Sequence, residues 1–152
     1  MRLHLLAVGR MGAGPERDLF ETYRKRPGWP LDVVEIDDRK GGSDAERNAR
    51  ECAALLAKIP DGAAVIALDE RGRTFSSREF AARLKDFEDA GRRDLALLIG
   101  GADGLDDAVR ARADLLLSFG RLTWPHMMVR AMLAEQLYRA RTILDGHPYH
   151  RD

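Results

Sequence analysis

Apolar residues gather in five short runs, Leu3–Val8, Leu31–Ile36, Ala63–Leu68, Leu95–Ile99 and Leu115–Phe119. Each is mostly aliphatic with little alternation, the pattern of strands buried on both faces of a parallel sheet. Between them the apolar spacing takes a helical period over Pro15–Lys25, Asp44–Lys58, Ser77–Ala90 and Leu105–Arg112, and again after Pro125. Strands alternating with helices predict an α/β domain with a mainly parallel sheet and helices on both faces. Ser76-Ser77-Arg78-Glu79 reads as a capping box opening the third helix. Pro125 fits the first position of the last helix, with Thr123 or Trp124 as its cap and Gly146 and Pro148 beyond its end. Arg39–Asp44, with Gly41 and Gly42, reads as a surface loop.

The last helix has no single apolar stripe. Met127, Met128, Val129, Met132, Leu133, Leu137, Tyr138, Ile143 and Leu144 cover much of its circumference. Such a helix must bury two sides, one in its own core and one elsewhere. A second copy of the chain is the economical candidate for the other side, so a homodimer is expected. The alternative is a central core helix.

Composition narrows the class. The chain has 152 residues, 45% hydrophobic and 33% charged, which suits one soluble domain spanning 1–152. No apolar run approaches the roughly 20 residues of a spanning helix, and Leu3–Val8 is too short and too soon followed by Arg10 for a signal peptide. Cys52 is the only cysteine, so nothing calls for an oxidising compartment, and a cytoplasmic protein is expected. Lys and Arg total 25 and Asp and Glu total 25, a net charge of zero that removes bulk basicity as an argument for a nucleic-acid partner. Any such contact must use a local patch. From Arg121 onward five arginines face three carboxylates, which an ordinary solvated surface also explains.

In open α/β sheets ligands bind beyond the carboxyl ends of the strands. Three segments are expected there as loops: Leu68–Gly72, Gly100–Gly104 and Gly120–His126. Gly100-Gly101-Ala102-Asp103-Gly104 is neither a dinucleotide fingerprint nor a phosphate-binding P-loop, and on its own it is equally a tight turn into the next helix. There is no nucleophile elbow, and Asp69 lacks the acidic pair at the first strand that a phospho-accepting site would need. His126, His147 and His150 have no cysteine partner, and two of them sit at the chain end, so no metal site is expected. Cys52 falls in a helical pattern and reads as packing.

Taken in order, several motifs are more specific. Leu6-Ala7-Val8-Gly9, Ala67-Leu68-Asp69-x-x-Gly72-Arg73-x-x-Ser76-Ser77-x-x-Phe80-Ala81 and Leu98-Ile99-Gly100-Gly101-x-x-Gly104-Leu105 resemble the RlmH family of the SPOUT superfamily. So do Leu122-Thr123-x-Pro125-His126, Glu135-Gln136-Leu137-Tyr138-Arg139-Ala140 and Pro148-Tyr149-His150-Arg151. The resemblance covers nearly the whole chain. It implies an α/β fold with a C-terminal trefoil knot, a homodimer, and methylation of ring nitrogen 3 of a pseudouridine in large-subunit (23S) ribosomal RNA. S-adenosylmethionine is the implied cofactor, held at Leu68, Gly100, Gly101, Arg121, Leu122, Thr123, Trp124, Pro125 and His126. Arg139, Tyr149 and His150 are expected near the target base, with Arg151 on phosphate. The alternative for Arg139 is a pairing with Glu135 one turn earlier, and His150 can equally be an RNA-contacting or dimer-stabilising tail residue. Two departures stand out: Gly120 replaces a frequent Ser, and the Asp37–Ser43 connection is short. Neutral net charge suggests recognition of an assembled ribosome by shape and a local basic surface. The competing readings are a non-catalytic ribosome- or RNA-binding dimer of the same fold and a methyltransferase acting on a tRNA base.

Overall fold

The computed structural model describes residues 1–152. The apolar runs form five parallel strands: β1 (Arg2–Val8), β2 (Leu31–Ile36), β3 (Ala64–Arg73), β4 (Asp94–Ile99) and β5 (Leu115–Leu117). They lie in the order β2-β1-β4-β3-β5. The helices are α1 (Pro15–Arg24), α2 (Asp44–Ala57), α3 (Ser77–Asp89), α4 (Asp107–Arg112) and α5 (His126–Leu144).

Strand side chains alternate between two cores, as the period of the pleat requires. Leu3, Leu5, Ala64, Ile66, Leu95 and Leu97 face α1, α3 and α5, where Phe20, Phe80, Leu84 and Leu133 meet them. Leu6, Val8, Val65, Ala67, Ala96 and Leu98 face α2 and α4, against Cys52, Leu55 and Val109. Both faces are thus covered by helices. Cys52 is buried, and burial pushes its thiol up in pKa, in keeping with a packing role. The capping box at Ser76 and Glu79 forms as the sequence predicts.

Three expected boundaries are corrected. Leu68–Gly72 is not a loop, because β3 continues to Arg73 through a bulge between Leu68 and Arg73. The bulge forms because the buried Asp69 carboxylate accepts from the Arg71 amide at 2.8 Å and from Arg110 Nε at 2.8 Å. Gly72 then passes so close to β5 that a Cβ there would stand 2.7 Å from the Leu116 carbonyl. Second, β5 stops at Leu117, two residues early, because the Ser118 hydroxyl accepts from the Gly120 amide and donates to its carbonyl. Third, Pro125 is the cap of α5 and not its first residue. Its backbone is extended, its carbonyl accepts from the Val129 amide, and neither Thr123 nor Trp124 supplies a side-chain cap.

Candidate functional site

The carboxyl edge of β3, β4 and β5 carries a pocket of about 200 Å³. Leu68 and Ile99 end their strands on its floor, Gly100 and Gly101 form one lip, and the chain from Ser118 to Trp124, with His126, forms the other. Thus Leu68, Gly100, Gly101, Arg121, Leu122, Thr123, Trp124 and His126 come together around one cavity. Pro125 stands beside it as the α5 cap.

The glycine turn is held by its own packing. A Cβ at Gly100 would lie 2.7 Å from the Gly104 carbonyl oxygen, and one at Gly101 would lie 3.0 Å from both Val8 Cγ1 and Glu51 Oε2. The close approach that glycine permits is therefore first an approach of the protein to itself. From α2, Asn48 donates to the Gly104 carbonyl at 3.1 Å and Arg47 pairs with Asp103 at 3.1 Å. Burial beneath this turn raises the Glu51 carboxyl in pKa. The opposite lip is set by the Ser118–Gly120 turn, with Gly120 at φ +106°, a left-handed conformation that favours glycine over a residue with a side chain. Leu122 is 73% exposed and Trp124 37%, so both stand as flaps at the mouth and not as buried walls.

Through Leu117–Gly120 the pocket adjoins a larger apolar cleft of about 580 Å³, lined by Leu19, Tyr23, Phe75, Phe119 and Met132 with Glu135 at its far end. There a second cluster begins. Arg139 donates through Nε to Glu135 at 2.9 Å, and Glu135 also accepts from the Tyr149 hydroxyl at 3.0 Å. Arg139 Nη1 lies 3.1 Å from His150 Nδ1, and His150 Nε2 lies 3.1 Å from Asp152. Since Arg139 can only donate, Nδ1 accepts and Nε2 carries the hydrogen. Arg78 grips Asp152 through two nitrogens. That grip, first, with His150 behind it, holds the Asp152 carboxyl down to about 2. Tyr149 packs edge-on to Tyr138 and stands under Arg26, while burial, then Tyr23 and Glu135, raises its phenol in pKa.

The structure thus brings together Arg139, Tyr149 and His150, but not with the cofactor set. Arg151 is exposed beyond the cluster. From Val129 at the pocket to Arg139 is ten residues of α5, about 15 Å at 1.5 Å per residue. Sequence reasoning missed Arg130, 1% exposed on α5, which donates to Glu35 at 2.7 Å and to the carbonyls of Val8 at 2.8 Å and Gly9 at 2.7 Å. Its signal was a cation placed one turn from Met127 and Ala134 on an otherwise apolar face.

Comparison with known proteins agrees with this architecture. A family model described as a predicted SPOUT methyltransferase matches residues 1–150. "Ribosomal RNA large subunit methyltransferase H" of Paramagnetospirillum magneticum is 58% identical over 151 residues, covering 99% of each chain. The protein of the same name from Roseobacter denitrificans is 54% identical over 160 residues, covering all of both. Among solved structures, a probable methylase family protein from Haemophilus influenzae superposes over 99% of this chain and 70% of its own (TM-score 0.61, 11% identity). TrmJ from Z. mobilis superposes over 93% and 70% (TM-score 0.56, 15% identity). Those two likenesses speak for the fold, and the full-length matches to the family model and the relatives carry the assignment: this chain belongs to the RlmH family of SPOUT methyltransferases.

Proposed function

We propose that this chain is an S-adenosylmethionine-dependent methyltransferase that modifies ring nitrogen 3 of a pseudouridine in 23S ribosomal RNA. It does so as a homodimer, on the assembled ribosome in the cytoplasm. The observation that carries this reading is the backbone-lined pocket at the ends of β3, β4 and β5, in a chain alike over its full length to relatives named as large-subunit ribosomal RNA methyltransferases. The trefoil knot belongs to the same proposal, with the 118–126 segment as its threaded part.

The residues suit the cofactor. Leu68 and Ile99 offer a narrow apolar floor, and the main chain at Gly100–Gly101 and Arg121–Thr123 offers amides and carbonyls that can read an adenine edge. When bound, S-adenosylmethionine supplies a methyl group already activated on a sulfonium, so the protein has mainly to align the acceptor and remove its proton. Arg139 is suited to favour the anionic form of the base, and the His150 ring to accept the nitrogen-3 proton. His150 Nδ1 is occupied by Arg139 here. That acceptor becomes available as Arg139 turns to the substrate, which makes the two residues act in sequence.

A homodimer answers the separation along α5. Reacting atoms must come within about 3–3.5 Å, and in one chain ten residues of α5, about 15 Å of helix rise, lie between Val129 on the pocket wall and Arg139. A two-fold pairing across the apolar cleft, with the helices α5 crossing in opposite directions, sets the far end of one helix beside the near end of the other. Leu19, exposed, lines that cleft.

The test is methyl transfer from labelled S-adenosylmethionine to intact ribosomes lacking the modification, with mass spectrometry locating the product. The expected outcome is a methylated pseudouridine in large-subunit RNA and no turnover of a short naked RNA hairpin. Cofactor binding without transfer to ribosomes points to another acceptor, such as a tRNA base. Ribosome binding without cofactor binding points to a non-catalytic dimer.

A further inference from the structure

A second groove, of about 420 Å³, opens at the carboxyl ends of β1 and β2 and is assigned no part in the reaction above. Its lining carries Arg10, Arg17, Arg24 and Arg130, with Glu21 and Glu35. The acids are already engaged. Glu35 accepts from Arg130 at 2.7 Å and from the Met11 amide at 2.6 Å, and Glu21 pairs with Arg24 at 3.2 Å. Arg10 shares the single Asp37 carboxylate with Arg39. Arg17 has no carboxylate partner at all. Five guanidinium groups therefore meet three carboxylates, and Arg130 Nε is buried without a hydrogen-bond partner. In a chain of zero net charge this is a local positive surplus.

Its position gives the surplus a use. The groove lies on the same edge of the sheet as the cofactor pocket, two strand spacings away, or about 10 Å. The two are mechanically joined, since Arg130 holds the carbonyls of Val8 and Gly9, and Gly9 sits against Met127 and His126 at the start of α5. We propose that this groove binds the phosphodiester backbone of the substrate RNA beside the target nucleotide, with Arg17 as the free cation that meets a phosphate and Arg10 as its neighbour. Bidentate guanidinium–phosphate pairing suits these side chains, and contacts of this kind fix register without reading sequence. The proposal rests on the RNA-methyltransferase reading, but its binding test does not require turnover.

The test compares wild type, Arg17→Glu and, as a control cation at the opposite edge of the sheet, Lys58→Glu. Co-sedimentation with unmodified ribosomes is measured across a salt series, alongside methylation kinetics and cofactor affinity. Arg17→Glu is expected to weaken ribosome binding several-fold and to lower the slope of log affinity against log salt by about 0.9. It should raise KM for ribosomes while leaving kcat and cofactor affinity unchanged, and Lys58→Glu should change none of these. If wild type binds ribosomes salt-dependently without methylating them and Arg17→Glu still weakens binding, the groove stands and the reaction assignment falls. If Arg17→Glu binds and turns over like wild type, or if ribosome binding shows no salt dependence, the groove has no such role.

Discussion

The two ends of α5 build their sites in opposite ways. At its start, around the pocket, the shape is made by backbone: a glycine turn pressed on itself, a bulged strand, and a loop tied by Ser118. At its end the shape is made by long side chains, with Glu135, Arg139, Tyr149, His150, Asp152 and Arg78 linked in one chain of contacts. The first kind of site fails by clash and the second by disconnection. Under the proposed function, a pocket that receives one cofactor gains from rigidity, whereas a cluster that exchanges partners during proton removal gains from contacts that break singly.

The backbone-built site is most sensitive at Gly100. Gly100→Ala places a methyl group 2.7 Å from a backbone oxygen that has little room to yield, so cofactor affinity should fall at least about tenfold by calorimetry, a loss of roughly 1.4 kcal/mol. Arg130 comes next, because it joins α5 to β1. Arg130→Met removes three donor contacts and leaves the Val8 and Gly9 carbonyls without their donor, costing about 3 kcal/mol, or roughly 6–12 °C in Tm by calorimetry. Arg139→Ala should do the reverse of Gly100→Ala, lowering kcat on ribosomes while leaving cofactor affinity unchanged. A preserved kcat would remove Arg139 from the chemistry.

Tyr149 gives the smallest and cleanest signal. Its folded-state pKa is raised above the ordinary 10.0. The stabilisation from its neutral phenol is therefore fully present below pH 10 and is lost only as pH rises through the raised value. In an ultraviolet absorbance titration Tyr149 should ionise above the range of an ordinary tyrosine, and Tyr149→Phe should abolish that late step. If the late step persists in the variant, it belongs to another tyrosine and the tail is not docked as described.

Much of this was legible in the sequence, and the gaps have physical causes. The strand runs and helical periods located all ten elements because both faces of the sheet are covered, so aliphatic runs and strands coincide. The extension of β3 through Asp69-Glu70-Arg71-Gly72 was hidden, since charged residues after an apolar run look like a loop until Arg110 is seen to neutralise Asp69. Pro125 as a cap was hidden because an extended backbone and a helix start are both open to proline. Gly100 and Gly101 were legible as special, but their reason, contact with Gly104, Val8 and Glu51, is set by folding. The residues at the two ends of α5 were both picked out by motif, and the single helix expected from Pro125 to Gly146 already set them apart, whereas the return of Tyr149 and His150 onto Glu135 and Arg139 is set by folding.

That separation supplies the most direct measurement. Gly100→Ala and Arg139→Ala chains, each strongly impaired alone when cofactor is limiting, are co-expressed with different tags, and mixed dimers are purified and assayed at that cofactor concentration for methyl transfer to unmodified ribosomes. If one chain's pocket works with the other chain's tail, the mixed dimer keeps one intact site and recovers about half of wild-type activity. A mixed dimer as inactive as its parents would contradict the account, because the pocket and the tail would then have to act within a single chain.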